Sequence, residues 1–231
     1  MRRIGDDVIR IAATIPAYEA APSVGDVVRR TLAVLEDLLV VDDGSCDETA
    51  AEARKAGAEV HVLPRNAGKG VALHAAFAIL LSRGFDAVVT LDADGQHLPE
   101  EIPRLLDARE GADLVLGTRA HLFAEMSALR RASNRFSSLA ISALAGRRLP
   151  DIQTGFRLYT RRLLESTGFP EHRFDAESAV VVRAARRGLV MRLVPIRLGF
   201  ADGRLTSHYR PVVDSLRIAR AVVRARLEDP R

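Results

Sequence analysis

The sequence predicts an α/β fold, a single domain on a mostly parallel central sheet flanked by helices. Three observations predict it. Apolar, β-branched runs alternate with helical stretches, the pattern of βαβ units. The runs are continuously apolar, as strands covered on both faces are. Three of them also stop abruptly in polar or acidic turns, at the edge where open α/β sheets bind ligands.

The elements follow in order. Residues 8–15 read as the first strand, which ends at Pro16-Ala17-Tyr18-Glu19, and residues 23–36 as a helix. Residues 38–41 form a second strand that runs straight into Asp42-Asp43-Gly44-Ser45-Cys46-Asp47-Glu48-Thr49. Gly44 permits a tight turn there, and Ser45 or Asp47 suits the start of a helix over 47–56. A strand over 58–63, a helix over 68–82 and a strand over 86–91 come next. The last ends in Asp92-Ala93-Asp94-Gly95-Gln96-His97. Pro99 opens a helix over 99–109, because a first-turn proline forfeits no helical hydrogen bond. Residues 112–116 are a strand and 122–146 a helix with Ser and Arg on one side. Residues 157–165 and 175–187 are further elements, 189–198 is extended, and 211–227 is basic and amphipathic.

Composition narrows the class. The 231 residues suit one domain, and 48% hydrophobic with 28% charged residues is ordinary for a globular chain. No apolar run approaches the roughly 20 residues that span a bilayer, and acids interrupt any signal-peptide pattern after Met1-Arg2-Arg3. Cys46 is the single cysteine, which excludes an internal disulfide and suits a reducing cytoplasm. The net charge is +4, carried by arginine apart from Lys55 and Lys69, and the excess falls after about residue 119. Arginine binds phosphate through two parallel hydrogen bonds. The pattern suits phosphate-bearing ligands and an anionic membrane surface. Zinc spacing, RNA-binding aromatics and base-stacking capacity (5% aromatic) are missing, so nucleic acid is not the expected partner.

Two acids one residue apart at a strand end, followed by Gln96, offer hard oxygen ligands to Mg²⁺ or Mn²⁺. Asn66, Gly68, Lys69 and Gly70 make a short glycine-bearing loop before a helix, a place where backbone N–H groups approach phosphate. The full P-loop spacing is absent, which rejects an ATPase. The turn after the first strand is not glycine-rich, which argues against a nucleotidyltransferase.

Taken together, Ile15-Pro16-Ala17-Tyr18-Glu19, Val40 to Thr49, Arg65-Asn66-Ala67-Gly68-Lys69-Gly70, Leu91 to His97, Gly117-Thr118-Arg119 and Asp151-Ile152-Gln153-Thr154-Gly155-Phe156-Arg157 form an ordered set over residues 8–160. The chain resembles a family 2 glycosyltransferase, closest to the polyprenyl-phosphate sugar synthases of the dolichol-phosphate mannose synthase kind. The resemblance implies a GT-A type fold, with a nucleotide-sugar half over about 8–119 and an acceptor half over about 120–231. It implies transfer of a hexose from a GDP- or UDP-sugar to a polyprenyl phosphate. A glycan, glycolipid or small hydroxyl acceptor, and a non-catalytic nucleotide-sugar-binding subunit, are the alternatives.

Under that resemblance Pro16, Tyr18 and Glu19 hold base and ribose, and Asp43 reads base or ribose. Asp42 lies beside it or caps a turn. Lys69 faces the nucleotide or sugar, and Asp92, Asp94 and Gln96 hold the metal, with Ala93 between the acids. Arg119, Arg157 and Arg210 are expected on phosphate, while Arg131 and Arg135 are phosphate ligands or surface charges. An inverting displacement on a hydroxyl needs a carboxylate base, whereas a phosphate acceptor is already ionised. Asp151 and the acids Asp175 and Glu177 are the candidates, Glu177 being equally a structural acid in a helix's first turn. Residues 122–148 and 211–227 are either a lipid-facing surface or ordinary packed helices. The expected location is the cytoplasm, peripherally at the inner face of the membrane.

Overall fold

The first expected strand divides at Arg10. Its amide donates to Asp86 Oδ2 at 2.8 Å and its guanidinium to the Arg83 carbonyl at 2.7 Å. Before it, β1 (Arg2–Ile4) and β2 (Asp7–Ile9) pair as a small antiparallel ribbon. After it, β3 (Ile11–Ala17) enters the main sheet. This computed structural model describes residues 2–4, 7–118, 142, 146, 154–170 and 175–199.

Chain order then gives α1 (Ala21–Leu32), β4 (Leu38–Asp42), α2 (Thr49–Lys55), β5 (Glu59–Val62), α3 (Lys69–Ser82) and β6 (Ala87–Thr90). A short 3₁₀ turn over Pro99–Glu101 leads into α4 (Ile102–Asp107), followed by β7 (Leu114–Thr118). β8 (Arg157–Thr160), α5 (Arg161–Thr167), α6 (Asp175–Arg186) and β9 (Met191–Pro195) complete the described elements. Among the described residues the main sheet has seven strands in the order β5-β4-β3-β6-β8-β7-β9. Only β8 runs against the rest, antiparallel to both β6 and β7.

The sheet sorts its side chains by period two. Leu39 and Val41 face α3, α5 and α6, packing with Leu73, Phe77, Leu163 and Val180. Leu38 and Val40 face α1, α2 and α4, packing with Val24, Val28, Ala53 and Leu105. All five residues of β4 are buried, which a two-faced layer requires. Each large apolar side chain so placed contributes about 1.5–3 kcal/mol. On the α3 side, Phe77 lies 5.1 Å from both Tyr159 and Phe169, ring centre to ring centre.

This order also locates the crevice. The chain moves from β3 outward to β4 and β5, then returns through α3 to β6 on the other flank of β3. The direction reverses between β3 and β6, and such switch points open crevices beyond the carboxyl ends of the strands. The turns after β3, β4 and β6 all lie on that edge, as their parallel pairing dictates.

Several boundaries differ from the sequence expectation. The helix expected over 99–109 is a 3₁₀ turn and a short α-helix. The element expected over 157–165 splits into a strand and a helix at Thr160, whose hydroxyl accepts the Leu163 amide and caps α5. The expected stretches 122–146 and 211–227 lie outside the described residues, apart from Ser142 and Gly146.

Among the described residues Gly44 is the most constrained glycine. Its φ is +69°, and a Cβ there would come within 2.4 Å of the Arg65 carbonyl carbon and 2.7 Å of the Asn66 nitrogen. Neither is a flexible side chain. Gly44→Ala is therefore expected to cost about 2–4 kcal/mol, summing left-handed strain and overpacking. Urea denaturation checks this; an unchanged midpoint would mean that the two turns do not interlock.

Candidate active site

The turn after β4 builds the near wall of the crevice. Asp42 is buried, and its Oδ1 accepts the Ser45 amide at 3.0 Å and the Ser45 hydroxyl at 2.5 Å. Asp42 therefore caps the turn through Oδ1. Asp43, also buried, accepts the Ala67 amide on Oδ1 at 2.8 Å and the Gly68 amide on Oδ2 at 2.7 Å. It thus staples the Asn66–Lys69 loop to the end of β4.

The same turn caps α1 from across the crevice. Ser45 Oγ accepts the Glu19 amide at 2.9 Å, Thr49 Oγ1 accepts the Ala20 amide at 2.7 Å, and Asp47 Oδ2 accepts the Ala21 amide at 3.2 Å. Helix starts leave amides without partners, and Ala20 has no capping side chain of its own. Burial raises the Asp47 pKa, but hydrogen bonds from Thr49 and Ala21 outweigh it and hold the group low. These contacts fix Glu19 at φ +48°, a left-handed conformation rare for a non-glycine residue. Pro16 closes β3 opposite Val41, and Tyr18 is half-buried beside Glu19, whose charge raises the phenol's pKa.

The turn after β6 forms the opposite wall. Asp92 is half-exposed; its amide donates to His97 Nδ1 at 3.1 Å, which assigns the imidazole proton to Nε2. His97 is buried and stacks on Phe156 at 5.5 Å, so it orients the turn as a hydrogen-bonding residue. Asp94 Oδ1 accepts the Gln96 amide at 2.9 Å. The Ala93 carbonyl accepts the Ser23 hydroxyl from α1 at 2.7 Å. Burial first, and the Asp92 carboxylate second, raise the pKa of Asp94. Two carboxylates that repel each other in a partly dehydrated turn suit a cation that relieves both.

Lys69 comes from the first turn of α3, delivered by the loop that Asp43 staples. Its Nζ lies 2.6 Å from Asp92 Oδ1 and 2.9 Å from Glu177 Oε2 on α6. Burial lowers the lysine pKa, but the two carboxylates overcome it and hold the group above its ordinary value. Gly155 completes the contact, since a Cβ there would come 2.7 Å from Lys69 Nζ and 2.8 Å from both Asp92 oxygens. The Gly155 carbonyl accepts the Thr90 hydroxyl at 2.7 Å.

Arg157 differs from its expected role on phosphate. Its side chain is wholly buried, with Nε donating to the Thr154 carbonyl at 2.7 Å and Nη1 to the Glu177 carbonyl at 2.5 Å. A guanidinium committed to backbone carbonyls beneath the sheet edge presents no open face to a ligand. Arg157 instead ties β8 to α6 under the crevice. Tyr159 lies in the same layer, and burial pushes its phenol up to about 12.

A third tether closes the far side. Glu101 is 1% exposed and accepts Arg197 Nε at 2.7 Å and the Arg197 amide at 3.3 Å. Leu198 bridges His97, and the Gly199 amide donates to the Gln96 carbonyl at 2.9 Å. The strand leaving β9 is thereby laid along the Gln96–His97 turn. Of the remaining sequence candidates, Arg119, Arg131, Arg135, Asp151 and Arg210 lie outside the described residues, as does the side chain of Asp175. A cavity of about 230 Å³ opens at the opposite, amino ends of the strands, beside Glu36, Asp37, Glu59 and Arg83. Arg83 and Glu59 there satisfy each other at 2.6 Å, and the cavity touches none of the acidic turns.

The sequence profile of Glycosyl transferase family 2 matches residues 13–168. The chain belongs to that family. Undecaprenyl-phosphate mannosyltransferase of Micrococcus luteus is 36% identical over 210 residues, 85% of this chain and 86% of that protein. Undecaprenyl-phosphate 4-deoxy-4-formamido-L-arabinose transferase of Pseudomonas aeruginosa is 38% identical over 169 residues, 68% of this chain and 48% of that protein. The chain thus spans about half the length of that second relative. Among solved structures, glucosyl-3-phosphoglycerate synthase from Mycobacterium tuberculosis, in complex with Mn²⁺, UDP and glucosyl-3-phosphoglycerate, superposes with a TM-score of 0.71 at 23% identity. That match covers 96% of this chain and 81% of that one. The chain is an α/β family 2 glycosyltransferase with the GT-A fold.

Family 2 membership was legible in the motif order, but the contacts of Gly155, Glu101 and Ser23 were not. Each acts on a residue more than sixty positions away, and no local pattern marks it. Among the described residues no three His, Cys, Asp or Glu side chains converge on one point. Two carboxylates and the Gln96 amide oxygen still suit Mg²⁺ or Mn²⁺, which complete their shells with water and substrate phosphate.

Asp94 gives a test of these electrostatics. A carboxyl whose pKa is raised on folding adds stability only while protonated. That contribution is present below the unfolded value and is lost as pH rises through the folded value. Without divalent cation, Asp94→Asn is expected to melt higher than the native protein at about pH 8, the gap closing toward about pH 4. The variant keeps the acceptor for the Gln96 amide. A lower melting temperature at both ends would show that the Asp94 charge is not under strain.

Proposed function

We propose that this chain transfers a hexose from a UDP- or GDP-sugar to a polyprenyl phosphate, inverting the anomeric centre. The observation that carries this reading is the pair of facing turns at the switch point. The β3 and β4 turns fix backbone and acids on one side, and Asp92 and Asp94 lie on the other with Lys69 between. Similarity to the undecaprenyl-phosphate mannosyltransferase along most of both chains supports the lipid-phosphate acceptor. The relative solved with Mn²⁺ and UDP supports a nucleoside diphosphate and a divalent cation.

In this reading residues 8–119 bind the nucleotide sugar. Pro16, Tyr18 and Glu19 line the base and ribose pocket, and Asp43 reads base or ribose. Asp92, Asp94 and Gln96 hold Mg²⁺ or Mn²⁺, which supplies Lewis-acid stabilisation to the departing diphosphate. Lys69 adds positive charge to the same wall. Arg119, directly after β7, and Arg210 take phosphate oxygens, and residues 120–231 take the acceptor. The acceptor phosphate attacks as an oxyanion, so no protein base is needed. Glu177 holds Lys69 through Oε2. Asp151 is the remaining candidate should the acceptor be a hydroxyl.

Among the described residues no helix is long and apolar enough to cross a membrane. Access to the lipid is assigned to the basic stretches 122–148 and 211–227, resting on anionic headgroups at the inner face of the cytoplasmic membrane.

Release of nucleoside diphosphate from UDP-glucose and from GDP-mannose, with Mn²⁺ and undecaprenyl phosphate in vesicles, tests the reading. Turnover is expected with one of the two donors and only with the lipid phosphate present. Asp94→Ala is expected to lower kcat by about a thousandfold. Turnover onto a soluble hydroxyl acceptor alone would replace the lipid-phosphate reading, and nucleotide binding without turnover would make the chain a binding subunit.

A further inference from the structure

The ammonium of Lys69 sits directly on one of the atoms expected to ligate a cation. Its distance to Asp92 Oδ1 is 2.6 Å, a charge-assisted contact at the short end of the range. A divalent cation approaching Asp92 therefore meets a fixed positive charge. That charge is shared, because Glu177 Oε2 holds the same ammonium at 2.9 Å. Glu177 is 6% exposed, and its second oxygen, Oε1, has no hydrogen-bond partner among the described residues. An ammonium has three N–H donors, so the spare oxygen is a place to which Lys69 can turn. Gly155 leaves the space in which this happens, its missing Cβ opposite Lys69 Nζ and both Asp92 oxygens. Glu177 itself is held from two sides. It stands in the first turn of α6, and Arg157 Nη1 binds its carbonyl at 2.5 Å.

We infer that Glu177 is a positioning residue that acts through Lys69, drawing the ammonium off Asp92 and so setting how tightly the Asp92–Asp94 turn binds a divalent cation. The inference rests on the metal site of the proposed function and deepens it. It gives Glu177 a task other than accepting a proton. The carboxylate tunes a cation site that it does not touch, with a lysine as the intermediary. When the cation is absent, Lys69 neutralises Asp92; when it binds, Glu177 takes the lysine.

Mn²⁺ titration followed by electron paramagnetic resonance, with and without UDP or GDP, reads this without turnover. Glu177→Gln removes the charge that draws the ammonium away from Asp92 and is expected to weaken Mn²⁺ binding about tenfold, the usual effect of removing an outer partner of a ligand. In a Lys69→Met background the same substitution is expected to change binding less than about twofold, because the intermediary is gone. An equal effect in both backgrounds would mean that Glu177 acts only by its charge at a distance, and would overturn the inference while leaving the metal site standing. Glu177→Asp keeps the charge but shortens the reach, and tests the same point if Lys69→Met does not fold. It is expected to weaken Mn²⁺ binding like Glu177→Gln; native affinity would overturn the inference. Failure of the native chain to bind Mn²⁺ under any of these conditions would overturn the metal site and the inference together.

Discussion

The Lys69 ammonium, pinned between Asp92 and Glu177, is the contact on which the crevice depends. It joins three elements far apart in the chain: the first turn of α3, the turn after β6 and the first turn of α6. Withdrawing these charges from water is costly, and their mutual attraction repays it only with good geometry. Here the geometry is set from outside the trio. The Asp43 staple places Lys69, the His97 ring and the Ser23 hydroxyl place the Asp92 turn, and Arg157 places α6. Removing one partner of such a pair generally costs about 3–5 kcal/mol, because the other charge stays buried alone. The supporting hydrogen bonds therefore protect the fold as well as the site.

The polar residues of the carboxyl edge carry two duties at once. Asp43 closes a loop with both oxygens and fixes the start of α3 that carries Lys69. Asp42, Ser45, Asp47 and Thr49 satisfy the β4 turn itself and the amides leading into α1. The edge is thus held by its own hydrogen bonds, an arrangement that leaves little ordering for any ligand to impose. Glu19 in its left-handed conformation is the visible strain of that rigidity. The Asp92–Asp94 turn is less settled, since burial and the Asp92 charge hold the Asp94 carboxyl above its ordinary pKa.

Arg157 and Glu177 mark where reading residues in line stopped short. Both stand in or near recognisable motifs; the motif suggests phosphate for Arg157 and leaves Glu177 open between proton chemistry and a structural acid. In the fold, Arg157 lies beneath the sheet edge on two backbone carbonyls, and Glu177 holds a lysine more than a hundred positions away. The split of residues 157–165 into strand and helix had a local signal in Thr160, whose hydroxyl caps α5. The antiparallel setting of β8 between β6 and β7 had none.

The sequence by itself determined the layers, the strands that end in the acidic turns, and those turns. Those follow from periodicity, from glycine and proline, and from carboxylates that end apolar runs, all of which act within a few residues. It also determined the family, through the order of its motifs. Only the tertiary structure decided which polar groups face the crevice and which hold its floor. Burial and partner distance depend on strands that meet after a crossover, so an arginine or glutamate of the same motif can serve either side.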